Sequence, residues 1–407
     1  MDAKDFCQSI WLVTNHDLFR VTLINAVGVI LVFGMWWWQI RRMILPKSFP
    51  VRLDVLVRVM VVFYLIGLPA RCLVILDEMN LISSFTVPGS LHWVAYFTSA
   101  GMIFLTLLAL RRGNAWWLLW VGLLAVDVTA AALSFSKGAI ISSLMPCLFG
   151  YMLYQPGTRS VRWIPVFFVV TYLASNSFVT YCRDKGMGNE SIHERLNITG
   201  AYINSKQQKE QTKTQLETTE ISQRWWFRLN YANAETFAMH EYDEGRPGDS
   251  FTMLLIAPIP RILWHNKPVI EPGAGFYSKL SGEKGASFSV GFFLEAYWNG
   301  GWLYVILVSI VIGWLLGGVT LFIANKLSAG NLWVFPIALL WIKSGGQVAG
   351  WILSEIVGPS VFTIIYIGLM RYFSLGKSME AKTNRGQAGW SSRKSNTRTA
   401  TNREIDR

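Results

Sequence analysis

Residues 21–42 read VTLINAVGVILVFGMWWWQIRR. Twenty residues pass without a charge, three of the last five are tryptophan, and two arginines follow. Roughly 20 apolar residues are what a helix needs to cross a hydrocarbon core. Tryptophan favours the headgroup level and arginine the cytoplasmic side beyond it. The stretch therefore reads as a membrane-spanning helix that ends at an interface. The residues before it, MDAKDFCQSIWLV, lack a basic n-region, and no small-residue cleavage site follows the run. The run 21–40 is expected to stay as an anchor.

The same reading extends along the chain. Of the 407 residues, 52% are hydrophobic and only 15% charged, against about a quarter charged in soluble proteins. Nine spans are expected, at roughly 21–40, 56–77, 91–110, 115–134, 139–155, 163–180, 302–323, 331–352 and 358–373, which makes the fold an all-α polytopic membrane protein. Arg41, Arg42, Lys47 and Arg52 follow the first span, Arg111 and Arg112 the third, and Arg159 and Arg162 the fifth, whereas 78–90 holds no Lys or Arg. The positive-inside rule then puts the N-terminus outside and the C-terminus in the cytoplasm. Trp116, Trp117 and Trp120 repeat the aromatic collar beside Arg112. The tail after 374 is polar: residues 377–407 hold eight Lys/Arg against three acids, a composition that cannot bury a core. The formal charge of +12 follows from this topology and needs no nucleic-acid partner.

Cys7, Cys72, Cys147 and Cys182 and the five histidines lack metal-ligand spacing, so no metal or other cofactor is expected. Cys7 and Cys182 could meet on the outer face; four unpaired thiols is the plainer reading.

One segment breaks the rhythm of spans. Residues 181–301 follow the first six-helix part (21–180) and precede the last three spans (302–373), as a large outer loop, with 1–20 on the same side. From Arg183 to Lys284 it holds 13 Lys/Arg and 13 Asp/Glu, so its net charge is near zero. A loop this long is functional or disordered. Residues 203–221 read as a solvated piece. Over 222–242, Arg224, Arg228, Tyr231 and Glu235 fall within about 60° on a helical wheel, with Trp226, Leu229, Phe237 and His240 opposite. This amphipathic helix either lies on the membrane or packs on the bundle.

That loop carries the residues best suited to chemistry. APIPRILWHNKPVIEPG, residues 257–273, holds prolines that limit its freedom and present Arg261 and Lys267 beside Trp264. Such cations suit an anionic headgroup, above all a diphosphate. They equally suit a basic interfacial loop. In SFSVGFFLEAYWNGGWLYVILV, 287–308, Asn299-Gly300-Gly301 separates a short helix from a true span. Glu295, among Phe292, Phe293, Tyr297 and Trp298, would have a raised pKa and could act as a base, or could be an ordinary helix-end carboxylate. Arg71, Asp127 and Lys343 fall within spans, where a charge costs about 2.5–3.5 kcal/mol at the helix centre. Lys137 occupies a tight outer turn.

Three patches resemble the Wzy-type polymerases of O-antigen and exopolysaccharide repeat units. They are Ser136-Lys137-Gly138, P-R-x-L-W-x-x-K-P at 260–268, and G-x-x-x-E-A-Y-x-x-x-G at 291–301. The layout of many helices and one large periplasmic loop agrees; the paired R-x10-G motifs of some members are absent. The resemblance implies a bacterial inner-membrane enzyme joining undecaprenyl-diphosphate-linked oligosaccharides at the periplasmic face. Its partners would be that lipid-linked oligosaccharide, the growing polysaccharide, the bilayer and a chain-length regulator. Arg261, Lys267, Lys137, Arg224 and Arg228 would hold the diphosphate. Glu295 is the first candidate base, with His240 and Asp184 behind it. Trp226, Tyr231, Trp264, Tyr297 and Trp298 would contact sugar or lipid. The alternatives are an O-antigen ligase using the same donor and a transporter or flippase, toward which Lys343 and Gln347 point.

Overall fold

A computed structural model describes residues 13–43, 53–79, 81, 87, 89–113, 115–155, 162–185, 192–209, 231–257, 259, 264, 272–281 and 288–373, the side chains at 78, 183, 184, 205–209, 255 and 281 excepted. Within them every regular element is helical. In chain order these are α1 (Asn15–Ile40), α2 (Leu53–Glu78), α3 (Gly89–Arg112), α4 (Ala115–Leu133), α5 (Lys137–Tyr154), α6 (Trp163–Lys185), α7 (Ile192–Lys209), α8 (Ala232–Asp243), α9 (Ser250–Ile256), α10 (Pro272–Ser281), α11 (Phe292–Ser328), α12 (Phe335–Gly346) and α13 (Gly358–Tyr372). A 3₁₀ turn at Leu332–Val334 precedes α12, and a π-helical turn at Leu353–Val357 precedes α13.

Seven of these helices are long and apolar enough to cross a membrane: α1 to α4, α6, α11 and the helix ending at Tyr372. This makes the chain a multi-pass membrane protein. Two of the nine expected spans differ. The 139–155 segment forms an 18-residue helix carrying Lys137 at its start and Pro146 within it. The 331–352 segment stops at Gly346. With its 3₁₀ turn it covers 15 residues, about 22 Å of helix against about 30 Å of hydrocarbon.

α1 begins with a capping box: Asp17 N–H donates to Thr14 Oγ1 at 3.1 Å and Thr14 N–H to the Asp17 carboxylate at 3.1 Å. It packs along α11, where Gly313 and Gly317 let the backbones approach; a Cβ at Gly313 would lie 2.5 Å from the Val32 carbonyl oxygen. Trp36 Nε1 donates to Thr320 Oγ1 at 3.2 Å, and the Gln39 amide to the Trp314 carbonyl at 2.8 Å. α3 lies at the centre, buried continuously from Ala100 to Ala109. Phe63 stacks there on Phe104 and meets Phe97 and Trp333 edge-on, and Phe104 meets Phe335 edge-on. α12 and α13 form an antiparallel hairpin, tied by Trp341 to Thr363 at 2.8 Å and by Tyr366 to the Trp333 carbonyl at 2.9 Å.

The membrane charges find partners. Arg71 on α2 pairs with Asp127 on α4 at 2.9 Å, which offsets part of the cost of both. Lys343 lies over the Tyr96 ring, 5.9 Å from its centroid.

Candidate functional site at the α1–α8–α11 face

α11 is two helices in one. Gly300 and Gly301 leave helical geometry, Gly301 with φ +62° and no room for a Cβ, which would meet Tyr242 Oη at 2.7 Å. The turn before it needs Gly291 (φ +75°), whose successor Phe292 donates its N–H to the Val348 carbonyl at 3.0 Å. The segment from Phe292 to Asn299 therefore runs against the direction of α1: Phe293 lies against Gly28, and Tyr297 reaches back to Arg20. The rest of α11 follows α1 in parallel. The break expected at Asn299-Gly300-Gly301 is the hinge of this reversal.

Three helix ends converge at the reversal. Arg20 of α1 forms an ion pair with Asp243 of α8 at 2.7 Å and donates to Tyr297 Oη at 3.0 Å; Tyr297 in turn donates to Asp243 at 2.9 Å. One turn away, His240 Nε2 lies 3.1 Å from the Asp17 carboxylate. The imidazole is about half exposed, while Asp17 is buried and fixed by its capping box. A turn further along α8, Glu235 accepts from the Asn25 amide at 3.2 Å. Burial pushes its carboxyl up to about 7, against the pull of that amide. α8 thus docks on the bundle through Ala234, Ala238 and Met239, all fully buried, and its polar face meets α1. Of the two readings of 222–242, the described part takes the packed one.

Glu295 is fully buried. One oxygen accepts from Ser250 at 2.8 Å and the other from the Ile352 N–H at 2.8 Å. Asn299 completes the network, donating to Ser250 Oγ and the Glu295 carbonyl and accepting from the Phe251 N–H. The carboxylate therefore sits at the N-terminal start of the helix leading into α13, where a negative charge meets free N–H groups. Its geometry is that of a positioning group.

The other expected residues scatter. Lys137 donates to Asn176 and lies over the Tyr172 ring of α6. Trp298 is 3% exposed, its ring taken up by Phe276, Trp351 and the Lys279 ammonium. Tyr297 is nearly as buried but keeps its hydroxyl in the Arg20–Asp243 pair. Tyr231 meets Phe288 edge-on, and Trp264 is exposed. Arg224, Trp226, Arg228, Arg261 and Lys267 lie outside the described residues, as does the Asp184 side chain. Cys182 is a buried free thiol, and Cys7 lies outside the described residues too. No three potential metal ligands gather among the described residues.

Below the polar cluster lies an apolar groove of about 640 Å³, in the range of small-ligand sites. Val29, Val32, Phe292, Phe293, Ile312 and Val348 line its upper part. Tyr297 stands one helical turn beyond Phe293 and Arg20 nine residues before Val29, so the polar cluster lies beyond this end of the groove on the same two helices. Asp17, Arg20, Asn25 and Asp243 had no motif to announce them. The available signal was Asp17 and Arg20 just ahead of the charge-free run and Asn25 within it, polar groups spread over less than half of the α1 circumference. No family model, curated protein or solved structure matches the chain.

Proposed function

We propose that the chain is a membrane glycosyltransferase that polymerises lipid-diphosphate-linked oligosaccharide repeat units at the outer face of a bacterial inner membrane. The observation that carries this reading is a polar cluster on α1, α8 and α11 that lies beyond one end of an apolar groove lined by the same α1 and α11. A lipid-linked sugar has this form: a hydrocarbon chain, an anionic link, and a polar glycan that stays in water. The carrier's chain enters the groove beside Phe292 and Phe293. Arg20 is the cation of the polar cluster, and Arg261 and Lys267 supply further charge to the leaving diphosphate. His240, oriented by Asp17 and open to solvent, takes the proton of the attacking sugar hydroxyl. The hydroxyl oxygen forms a bond to the anomeric carbon, and the carbon–oxygen bond to the diphosphate breaks with its electron pair leaving on the diphosphate. His240 is preferred to Glu295 as base because both Glu295 oxygens are already engaged within the core.

The test is the glycan profile of a deletion strain complemented by variants. With His240→Gln, long chains should fall by about 10²–10⁴ in rate of formation while single repeat units still reach the surface. Long chains stranded on the carrier would assign the donor chemistry to a ligase instead. A transport reading rests on the interrupted helix between Gly346 and Leu353, where the Gln347 amide nitrogen, in the orientation that satisfies both groups, lies 2.7 and 3.0 Å from the Glu355 oxygens. Single units trapped in the cytoplasmic leaflet would favour it.

A further inference from the structure

The groove has a second end, formed by Met43, Leu153, Ile323, Ala324 and Leu327. Arg41 and Arg42 directly precede Met43, and both are exposed. One turn back, Trp37 and Trp38 are 62% and 56% exposed, a collar that marks the headgroup level. Lys326 adjoins Leu327 on α11. Among the described residues, the last two turns of α1, α5 and α11 and the first two of α12 contain no Asp or Glu. An apolar slot whose mouth carries cations, with no acid in those turns of the helices that line it and Asp54 on the neighbouring α2, matches one class of molecule, an amphiphile with an anionic head.

We propose that this end of the groove binds an anionic glycerophospholipid of the leaflet on the basic side. Arg41 and Arg42 hold its phosphate, which guanidinium groups can grip bidentately. Its acyl chains lie in the groove that α1, α11 and α12 line together, against Ile323, Ala324 and Leu327. A zwitterionic lipid fits the same slot but gains less from the arginines, so the site selects by headgroup charge. Each basic residue at a membrane surface is worth about fivefold in affinity for an anionic lipid. The lipid at this end is separate from the carrier chain at the other, and the inference stands without the polymerase reading.

The full chain, purified in mild detergent, would be incubated with equimolar phosphatidylglycerol and phosphatidylcholine, washed, and its retained lipid quantified by mass spectrometry. Retention of phosphatidylglycerol should exceed that of phosphatidylcholine at least tenfold. Arg41→Gln with Arg42→Gln should bring the two within about twofold of each other, and Ala324→Trp, which fills the slot, should lower both. Equal retention by the unaltered protein, or a preference unchanged in the double arginine variant, would overturn the proposal. Gel filtration checks that each variant is folded. If Ala324→Trp is not, the arginine variant, which alters exposed residues only, still decides. The assay reads no polymer, so its failure leaves the polymerase reading where it stood.

Discussion

Glu235 sits between α1 and α8 with its carboxyl pushed up to about 7 by burial, from an ordinary 4.5. A carboxyl whose pKa is higher in the folded state binds its proton more tightly there than in the unfolded chain. Its contribution to stability is therefore complete below about pH 4.5 and lost as the pH rises through 7. A shift of this size corresponds to on the order of 3 kcal/mol across that window. Thermal melting of the detergent-solubilised chain should show Tm falling from pH 5 to pH 8, and Glu235→Gln should flatten that part of the slope. An unchanged slope in the variant would mean that other groups set it. At this scale the sequence was partly legible. Glu295 stood out because it is the last charge before Lys326 in an apolar run. Its partners, Ser250 and the Ile352 amide, are 45 and 57 residues away and leave no local trace. Arg20 and Asp243 went unmarked for the same reason, since an ion pair across more than 200 residues is made by the fold.

Elements were more legible than contacts, because span length and composition are set by the bilayer while partner choice is not. The boundaries of α2, α3 and α4 lie within three residues of the apolar runs that announced them, while α1 begins six residues earlier, at its capping box. α12 shows where hydropathy misleads. The apolar run continues past Gly346, but Gly345, Gly346 and Gly350 weaken the helix, and the Ile352 N–H is claimed by Glu295. That carboxylate links the start of α9, the first half of α11 and the turn before α13, so its loss should loosen three elements together. Glu295→Ala would leave the Ile352 N–H and Ser250 Oγ without their acceptor, at about 1–3 kcal/mol for each buried group. Glu295→Gln keeps an acceptor for Ile352 and offers Ser250 a donor. Unfolding followed by tryptophan fluorescence should therefore rank the alanine variant well below the glutamine variant. Equal melting temperatures for the two would show that the network adds little.

For the molecule as a whole, the proposed activity depends on which end faces the periplasm. Arg41, Arg42, Arg111, Arg112, Lys326 and Arg371 all terminate helices at one end of the bundle, and α8 with its Asp and Glu residues covers the other. Short basic loops resist translocation, so the first end is expected in the cytoplasm. The polymerase reading needs that orientation, because His240 must meet a glycan already outside. Glu244, exposed at the end of α8, and Ser392 in the basic tail are suitable probes once Cys72, the exposed thiol among the described cysteines, is replaced by Ser. In intact spheroplasts an impermeant maleimide should label Glu244→Cys at once. It should reach Ser392→Cys only after the membrane is opened. The reverse pattern would put the His240–Asp17 pair on the cytoplasmic side, where it could not meet a translocated glycan, and would move the anionic lipid at Arg41 and Arg42 to the outer leaflet.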